Sequence, residues 1–344
     1  MISLLVVNFR SAALAAEAVR TARATTAAPL QVVIVDNSCD PLEAEALRGI
    51  ADVLMVMETN RGYAGGINAG RRACSGNTIV VSNPDVTFAA SALDLLAGTL
   101  GPDVAVAGPA LYWDDAHLWH LPPGDLLTAP QKLDEILAGH SGEWSGQRDR
   151  RRFRQRVAFW SLGQATRVRM LSGAVLAIRA EDFDELGGFD ERFALYFEET
   201  DFLRSLSARR KHIVYVPAAR CRHIYNQSAA QSGGAAVERY AESERRYLEK
   251  WNGPLLASVL KRLERPPRVQ EPPSLNGSIP LSGESVVVEA SPLPSFSTAA
   301  GFFPRTAQVA LPEEVLRSVA GVPLYLRVVA RDTARVLAAY KITP

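Results

Sequence analysis

Apolar and polar positions come in alternating blocks along the N-terminal third of the chain. "ISLLVVNF" is an unbroken apolar run, the pattern of a strand buried on both faces. Ser11 is placed to cap an alanine-rich helix running to about Ala24. "LQVVIVDNS" predicts a second buried strand ending in Asp36 and Asn37, followed by a short helix near Leu42–Leu47 and the strand "DVLMVME". "GYAGGINAGRRAC" predicts a glycine-rich loop feeding a helix. "NTIVVSNPD" predicts another buried strand with a polar end, then "SALDLLAGTL" a helix and "VAVAGPAL" a strand. Strands alternating with helices predict βαβ units and an α/β fold with a mostly parallel central sheet. Ligands on such sheets bind beyond the carboxyl ends of the strands, which directs attention to Asp36 and to Asn83-Pro84-Asp85.

The regular pattern breaks over 112–167, which reads as a long irregular, lid-like insertion. It holds Trp113, Trp119, Trp144 and Trp160, four of the five tryptophans. Regularity returns with "VRMLSGAVLAIRAEDFDELGGFDERF", a helix from about Glu198 to Arg210, and the strand "HIVYVP". Residues 235–263 read as one long charged helix. The Pro- and charge-rich 265–274 reads as a linker, and 275–344 as a small β-rich module with strands at "ESVVVEA", "TAQVALP" and "PLYLRVVAR".

Composition sharpens this only locally. The 344 residues carry a formal net charge of +1, which favours neither nucleic acid nor an acidic partner. "QRDRRRFRQR", Gln147 to Arg156, packs six arginines into ten positions. It reads either as a solvated segment or as a patch for phosphates or anionic headgroups at a membrane surface. Cys39, Cys74 and Cys221 are far apart and suggest neither zinc nor a disulfide framework. "MISLLVVNFR" lacks the basic leader of a signal peptide, and no apolar run nears the ~20 residues of a membrane span. The expectation is a cytoplasmic protein, with peripheral contact at the membrane face and a homo-oligomer both open.

Four short stretches carry candidate chemistry. In "SNPDV", Asp85 projects from a strand end, where a carboxylate suits Mg²⁺ or Mn²⁺ beside substrate phosphates; Asn-Pro-Asp is also a common turn. In "VDNSCD", Asp36 is either a hydrogen-bond acceptor for a base or sugar or a turn residue. In "TNRGYAGGINAG", Gly62, Gly65, Gly66 and Gly70 permit close backbone approach at a helix start, where phosphate is favoured. The spacing is not GxGxxG after strand one, which disfavours a dinucleotide-binding dehydrogenase. In "LYFEETDFLRSL", Glu198, Glu199 and Asp201 sit between apolar flanks at a helix start; Glu198 and Asp201 share a face. Such acids either complement the helix dipole or include a general base.

Taken in order, "VVNFR", "VDNSCD", "NRGYAGGINAG", "SNPDV", "LSGAVLAIR", "GGFDERFALYFEETDF" and "RHIYNQS" resemble glycosyltransferase family 2, most of all its rhamnosyltransferase-like branch, over roughly residues 1–250. The resemblance implies a GT-A fold over 1–264, with 275–344 outside it, and an inverting transferase. Its donor would be a nucleotide sugar, dTDP-rhamnose or a UDP-sugar such as UDP-galactofuranose, and its acceptor a glycan or lipid-linked hydroxyl. A non-catalytic sugar-binding protein on the same scaffold is the alternative. It also implies donor contacts from Asn8, Asp36, Asn60, Gly62, Gly65, Gly66 and Asn68, from Asn83 and Asp85, and from Ser172 and Gly173. Asp85 and His223 would meet a divalent cation. Glu199 would be the base. Asn83 replaces the first aspartate of the general DxD motif, and Glu199 replaces a commoner aspartate. Its extra methylene leaves Glu198 and Asp201 open as alternatives.

Overall fold

The computed structural model describes residues 1–193, 195–224, 234–265, 271–275, 279–281, 285–306 and 308–343, with only the backbone for 234–237 and 280. The tail of the "RHIYNQS" segment and the middle of the linker lie outside the described residues.

The first four strands, β1 (Ile2–Asn8), β2 (Leu30–Asp36), β3 (Val53–Val56) and β4 (Thr78–Ser82), pair in parallel in the order β3-β2-β1-β4. The sheet continues through β5 (Val86–Phe88), β6 (Val104–Tyr112), β7 (Thr166–Val168), β8 (Val175–Arg179) and β9 (His212–His223), in the order β4-β8-β6-β9-β5 with β7 also on β9. Six of the nine strands run one way; β5, β7 and β8 oppose them. The expected α/β architecture is therefore present, with its all-parallel part at the N-terminal side.

The apolar run of β1 is explained by two cores. Leu4 and Val6 enter one, beneath α1 (Ala12–Thr25) and, beyond α2 (Pro41–Leu47) and α3 (Gly62–Arg71), α4 (Ala92–Thr99). Leu5 and Val7 enter the other, beneath α3. Ser11 does not cap α1. Its hydroxyl donates to Asn8 Oδ1 at 2.9 Å, and Glu43 Oε2 of α2 accepts from Ala12 N–H at 3.0 Å instead.

The stretch expected to be irregular is largely helical: α5 (Ala129–His140) and α6 (Gly142–Trp160). Thr128 accepts from Gln131 N–H and Ser141 from Trp144 N–H at their starts. The buried face of α6 is Phe153, Arg156 and Trp160, so an arginine occupies a position where periodicity looks for an apolar residue. Trp113, Trp119 and Trp160 are buried in packing; only Trp144 is exposed. Beyond α7 (Ala180–Leu186) and α8 (Glu198–Ala208), the long charged helix is two helices, α9 (Gly234–Asn252) and α10 (Pro254–Leu263). Gly253, with φ of 82°, and Pro254 separate them.

The tail forms β10 (Ile279–Pro280), β11 (Val286–Ser291), β12 (Ala300–Phe302), β13 (Gln308–Val309), a short helix α11 (Glu313–Ser318), β14 (Leu324–Ala330) and β15 (Val336–Ile342). Four of these strands make an antiparallel sheet, β12-β11-β14-β15. It is stitched to the main sheet: His120 exchanges two 2.8 Å backbone bonds with Gly301, and Leu121 N–H donates to Leu111 of β6 at 2.9 Å. Between them α6 packs Phe153 and Trp160 against Val287 and Val329.

Part of the arginine cluster is engaged by this seam and by α5, while Arg150, Arg151 and Arg154 stay exposed. Arg156 Nε donates to Glu289 Oε1 at 2.7 Å, and Arg327 Nε to Glu289 Oε2 at 2.7 Å. Arg152 meets Asp125 and the Ser297 carbonyl, Arg148 and Arg151 meet Asp134, and Arg154 donates to the Thr333 carbonyl.

Candidate functional site

The carboxyl ends of β1 and β2 bring Asn8 and Asp36 opposite one another. Asn8 Nδ2 donates to Asp36 Oδ1 at 3.0 Å and to Glu43 Oε2 at 2.9 Å, and Ser38 N–H donates to Asp36 Oδ1 at 3.0 Å. Asp36 Oδ2 and Asn37 Oδ1 are buried acceptors without a protein partner. Such atoms are costly unless something else donates to them.

Asn60 Oδ1 accepts from Gly62 N–H at 2.8 Å and so starts α3. Gly66 is pressed to β1: a Cβ there would stand 2.9 Å from Val7 Cγ1 and 3.1 Å from Asn37 Nδ2. A Cβ at Gly70 would overlap Leu5. A Cβ at Gly65 would crowd the Arg61 side chain at 2.8 Å. The close backbone approach that these glycines permit is, at Gly66 and Gly70, the helix meeting its own sheet. Asn68 does not turn toward the other candidates. Its amide donates to the Phe189 carbonyl at 2.8 Å and accepts from Phe189 N–H at 2.9 Å, clamping α3 to the turn after α7.

Asn83 and Asp85 leave β4, and the antiparallel pairing of β5 with β9 sets Val86 opposite His223. His223 Nε2 thereby lies 3.3 Å from Asp85 Oδ1 and 3.4 Å from Asn83 Nδ2. Asp85 and His223 are close enough together to share a divalent cation. Among the described residues no third His, Cys, Asp or Glu joins them. One carboxylate and one imidazole fit a cation that completes its shell with diphosphate oxygens and water, and the nitrogen ligand suits Mn²⁺ better than Mg²⁺.

The three acids of α8 part company. Tyr196 and Phe197 precede them, both with φ of 68°, a left-handed pair of bulky residues that turns the chain sharply into the helix. Asp201 is directed to α9: its carboxylate accepts from Lys250 Nζ at 2.7 Å and Trp251 Nε1 at 2.8 Å. Glu198 is buried, with Oε2 lacking a partner; burial, then the neighbouring Glu199 charge, pushes its carboxyl well above the usual range. Burial also raises Glu199, opposed by hydrogen bonds at the helix start.

Glu199 alone of the three lines the cavities. A chamber of about 180 Å³ is walled by Leu171, Ser172, Gly173, Glu199, Thr200 and His223, among others. Gly173 is needed there: a Cβ would stand 2.8 Å from Glu199 Cγ. Asp85 lines a separate pocket of about 300 Å³ that His223 does not border; the two are related by the 3.3 Å approach of His223 to Asp85. Glu199 and Thr200 also border a cleft of about 830 Å³. Its walls come from α5 and α6 (Gln131, Glu135, Arg148), from Tyr196 and Tyr240, and from the tail loop Pro294–Thr298 with Phe296.

Tyr63 was not among the residues singled out from the sequence. Its hydroxyl is buried without a partner, and burial, then Glu198, Glu199 and Asp85, hold its proton well above the usual phenol range. It connects the glycine-rich segment to both acidic groups. The available signal was a phenol inside a segment otherwise built of small residues.

The family description "Glycosyltransferase like family 2" matches residues 1–241. An N-acetylglucosaminyl-diphospho-decaprenol L-rhamnosyltransferase of Mycobacterium tuberculosis is 25% identical over 262 residues, covering 67% of this chain and 80% of the relative. Among solved structures, the mannosyltransferase PcManGT of Pyrobaculum calidifontis, in complex with GDP-Man and Mn²⁺, aligns over 76% of this chain and 73% of its own. Its identity is 14% and its TM-score 0.43. S. aureus TarS 1–349 with UDP covers 76% and 70%, at 14% identity and a TM-score of 0.45.

Proposed function

The chain belongs to glycosyltransferase family 2, and on that premise we propose that it is an inverting, divalent-cation-dependent rhamnosyltransferase. The donor in this reading is dTDP-L-rhamnose, its nucleotide taken from the family resemblance, and the acceptor a hydroxyl of a lipid-linked glycan; the rhamnose and the lipid-linked acceptor follow the mycobacterial relative. The observation that carries the reading is the position of Glu199. It faces the chamber that contains His223 and, at the same time, the large cleft.

The nucleoside lies at the ends of β1 and β2, where Asp36 and Asn37 hold unpaired acceptors. The diphosphate lies toward Asp85 and His223. A divalent cation bound there supplies Lewis-acid neutralisation of the leaving diphosphate. The acceptor glycan occupies the cleft, whose volume of about 830 Å³ is in the upper part of the roughly 300–1,000 Å³ usual for ligand pockets. Its wall mixes aromatic rings with paired charges, a lining suited to an uncharged sugar chain. Glu199 takes the proton of the acceptor hydroxyl as that oxygen attacks the anomeric carbon. The bond from the anomeric carbon to the phosphate oxygen breaks, its electron pair leaves with the nucleoside diphosphate, and configuration inverts. Burial raises the basicity of Glu199, which suits a base working near neutrality.

The test is nucleoside diphosphate release from a panel of dTDP-, UDP- and GDP-sugars with Mn²⁺, with and without acceptor. Glu199→Gln is expected to lower kcat by ~10²–10⁴-fold with dTDP affinity unchanged by calorimetry. Asp85→Ala should abolish metal-dependent release. Full activity in EDTA would remove the cation from the reading, and wild-type kcat in Glu199→Gln would remove the base.

A further inference from the structure

The surface of α10 is at odds with an ordinary solvated helix. Leu255 is 80% exposed, Leu256 41%, Val259 43% and Leu263 45%. At about 100° per residue, Leu255, Val259, Leu263 and Leu256 fall within an arc of roughly 100°. They form one stripe beside the buried Ala257 and Leu260, so that the apolar arc of the helix is wider than the part the fold covers. An apolar arc that wide is normally covered along its whole width. Arg262 borders the stripe, Lys261 stands on the polar side paired with Glu264 at 2.6 Å, and Arg265 follows the helix. That acid is itself shared with the buried Lys132 of α5, at 2.5 Å.

The neighbouring helix α5 carries exposed apolar residues of its own. This helix is docked on α10 through His140 Nε2 and the Leu263 carbonyl at 2.9 Å, and it exposes Leu133 (44%) and Leu137 (37%). Gln131, Glu135 and Ala138 of the same helix line the cleft that reaches Glu199. One helix, about 10 Å across, therefore separates exposed leucines from the candidate acceptor cleft.

We infer that the Leu255–Val259–Leu263 stripe of α10, with Leu133 and Leu137 of α5, is a docking surface for an anionic lipid bilayer. The argument for a bilayer over a protein partner lies in the chemistry. An aliphatic stripe with an arginine, Arg262, at its edge and a lysine, Lys261, on the polar side is the pattern of a helix lying in the plane of an interface. Ten residues are too few to span. The inference concerns the surface alone and holds whichever sugar is transferred, since vesicle binding is read without turnover.

The test is co-sedimentation of the full chain with vesicles of phosphatidylcholine alone and of phosphatidylcholine with phosphatidylglycerol. The wild type should pellet with the phosphatidylglycerol vesicles. The double variant Leu255→Glu/Val259→Glu should bind them at least tenfold less, with circular dichroism and nucleoside diphosphate release from free donor unchanged. Arg262→Glu should lower the preference for phosphatidylglycerol over pure phosphatidylcholine. A wild type that stays in the supernatant, or a double variant that pellets equally, overturns the inference. Equal binding to pure phosphatidylcholine overturns the anionic assignment. A wild-type dimer in solution that the double variant dissociates, with no effect on vesicles, assigns the stripe to a second copy of the chain and overturns the bilayer.

Discussion

Replacing Glu289 by glutamine tests the seam between α6 and the tail sheet. Glu289 is fully buried on β11 and divides its two oxygens between Arg156 and Arg327, each at 2.7 Å. Arg327 keeps a second carboxylate, Asp149, at 2.8 and 2.9 Å. Arg156 is 3% exposed and pairs with no other acid among the described residues. The substitution therefore leaves one buried guanidinium uncompensated and turns an amide donor toward another donor. Removing one member of a buried pair costs about 3–5 kcal/mol, and because both pairs share one carboxylate the two losses do not add. Against a typical stability of about 5–15 kcal/mol, that is a large fraction. Urea unfolding followed by tryptophan fluorescence should show a lower midpoint at unchanged slope. Asp149, Arg327 and the Pro294–Thr298 loop also wall the large cleft, so KM for acceptor should rise while donor affinity holds. Exchanging Arg156 and Glu289 together for methionine and leucine should recover most of the loss. A loss below about 1 kcal/mol, the worth of an exposed pair, would mean that water reaches the network and would refute the reasoning.

Glu198→Gln should raise Tm near pH 8 and leave it nearly unchanged near pH 4. The folded carboxyl is raised above its unfolded value by burial and then by Glu199, so its contribution is present below the unfolded pKa and lost as pH rises through the folded one; an equal shift at every pH would sink this. Asp201→Asn should cost about 1.5–3 kcal/mol, the worth of a hydrogen bond to a charged group, through Lys250 and Trp251, with nucleoside diphosphate release intact in the folded fraction. Lost turnover at unchanged stability would return Asp201 to the list of bases.

Much of the fold was legible because β1, β2 and β4 are buried on both faces and spell that out as apolar runs. The helix α6 was not, because its buried face contains Arg156, whose partner Glu289 lies 133 residues away. The site divides the same way. Strand ends located Asp36 and Asp85 by rule, but the 3.3 Å approach of His223 to Asp85 depends on β5 pairing with β9 across the sheet. Three acids at the start of α8 were visible as a group; only the position of α9, which takes Asp201, and of Gly173, which leaves room for Glu199, tells them apart. The glycines of α3 announced a close approach without saying what approaches, and Tyr63 among them gave no hint that its hydroxyl would be buried near Glu198, Glu199 and Asp85.

Gly301 carries a consequence for the history of such chains. Its backbone lies flat against the Trp160 indole, where any side chain would overlap the ring, and Trp160 in turn donates to the Leu121 carbonyl at 2.9 Å. In a chain without the tail sheet the tryptophan at 160 would lose its packing on Gly301, Val287 and Val329, and the arginine at 156 its carboxylate. Trp160 and Gly301, and Arg156 with Glu289, should therefore be gained and lost as sets, and their joint presence is a signature by which relatives carrying the same appended sheet can be told from those that end at the transferase core.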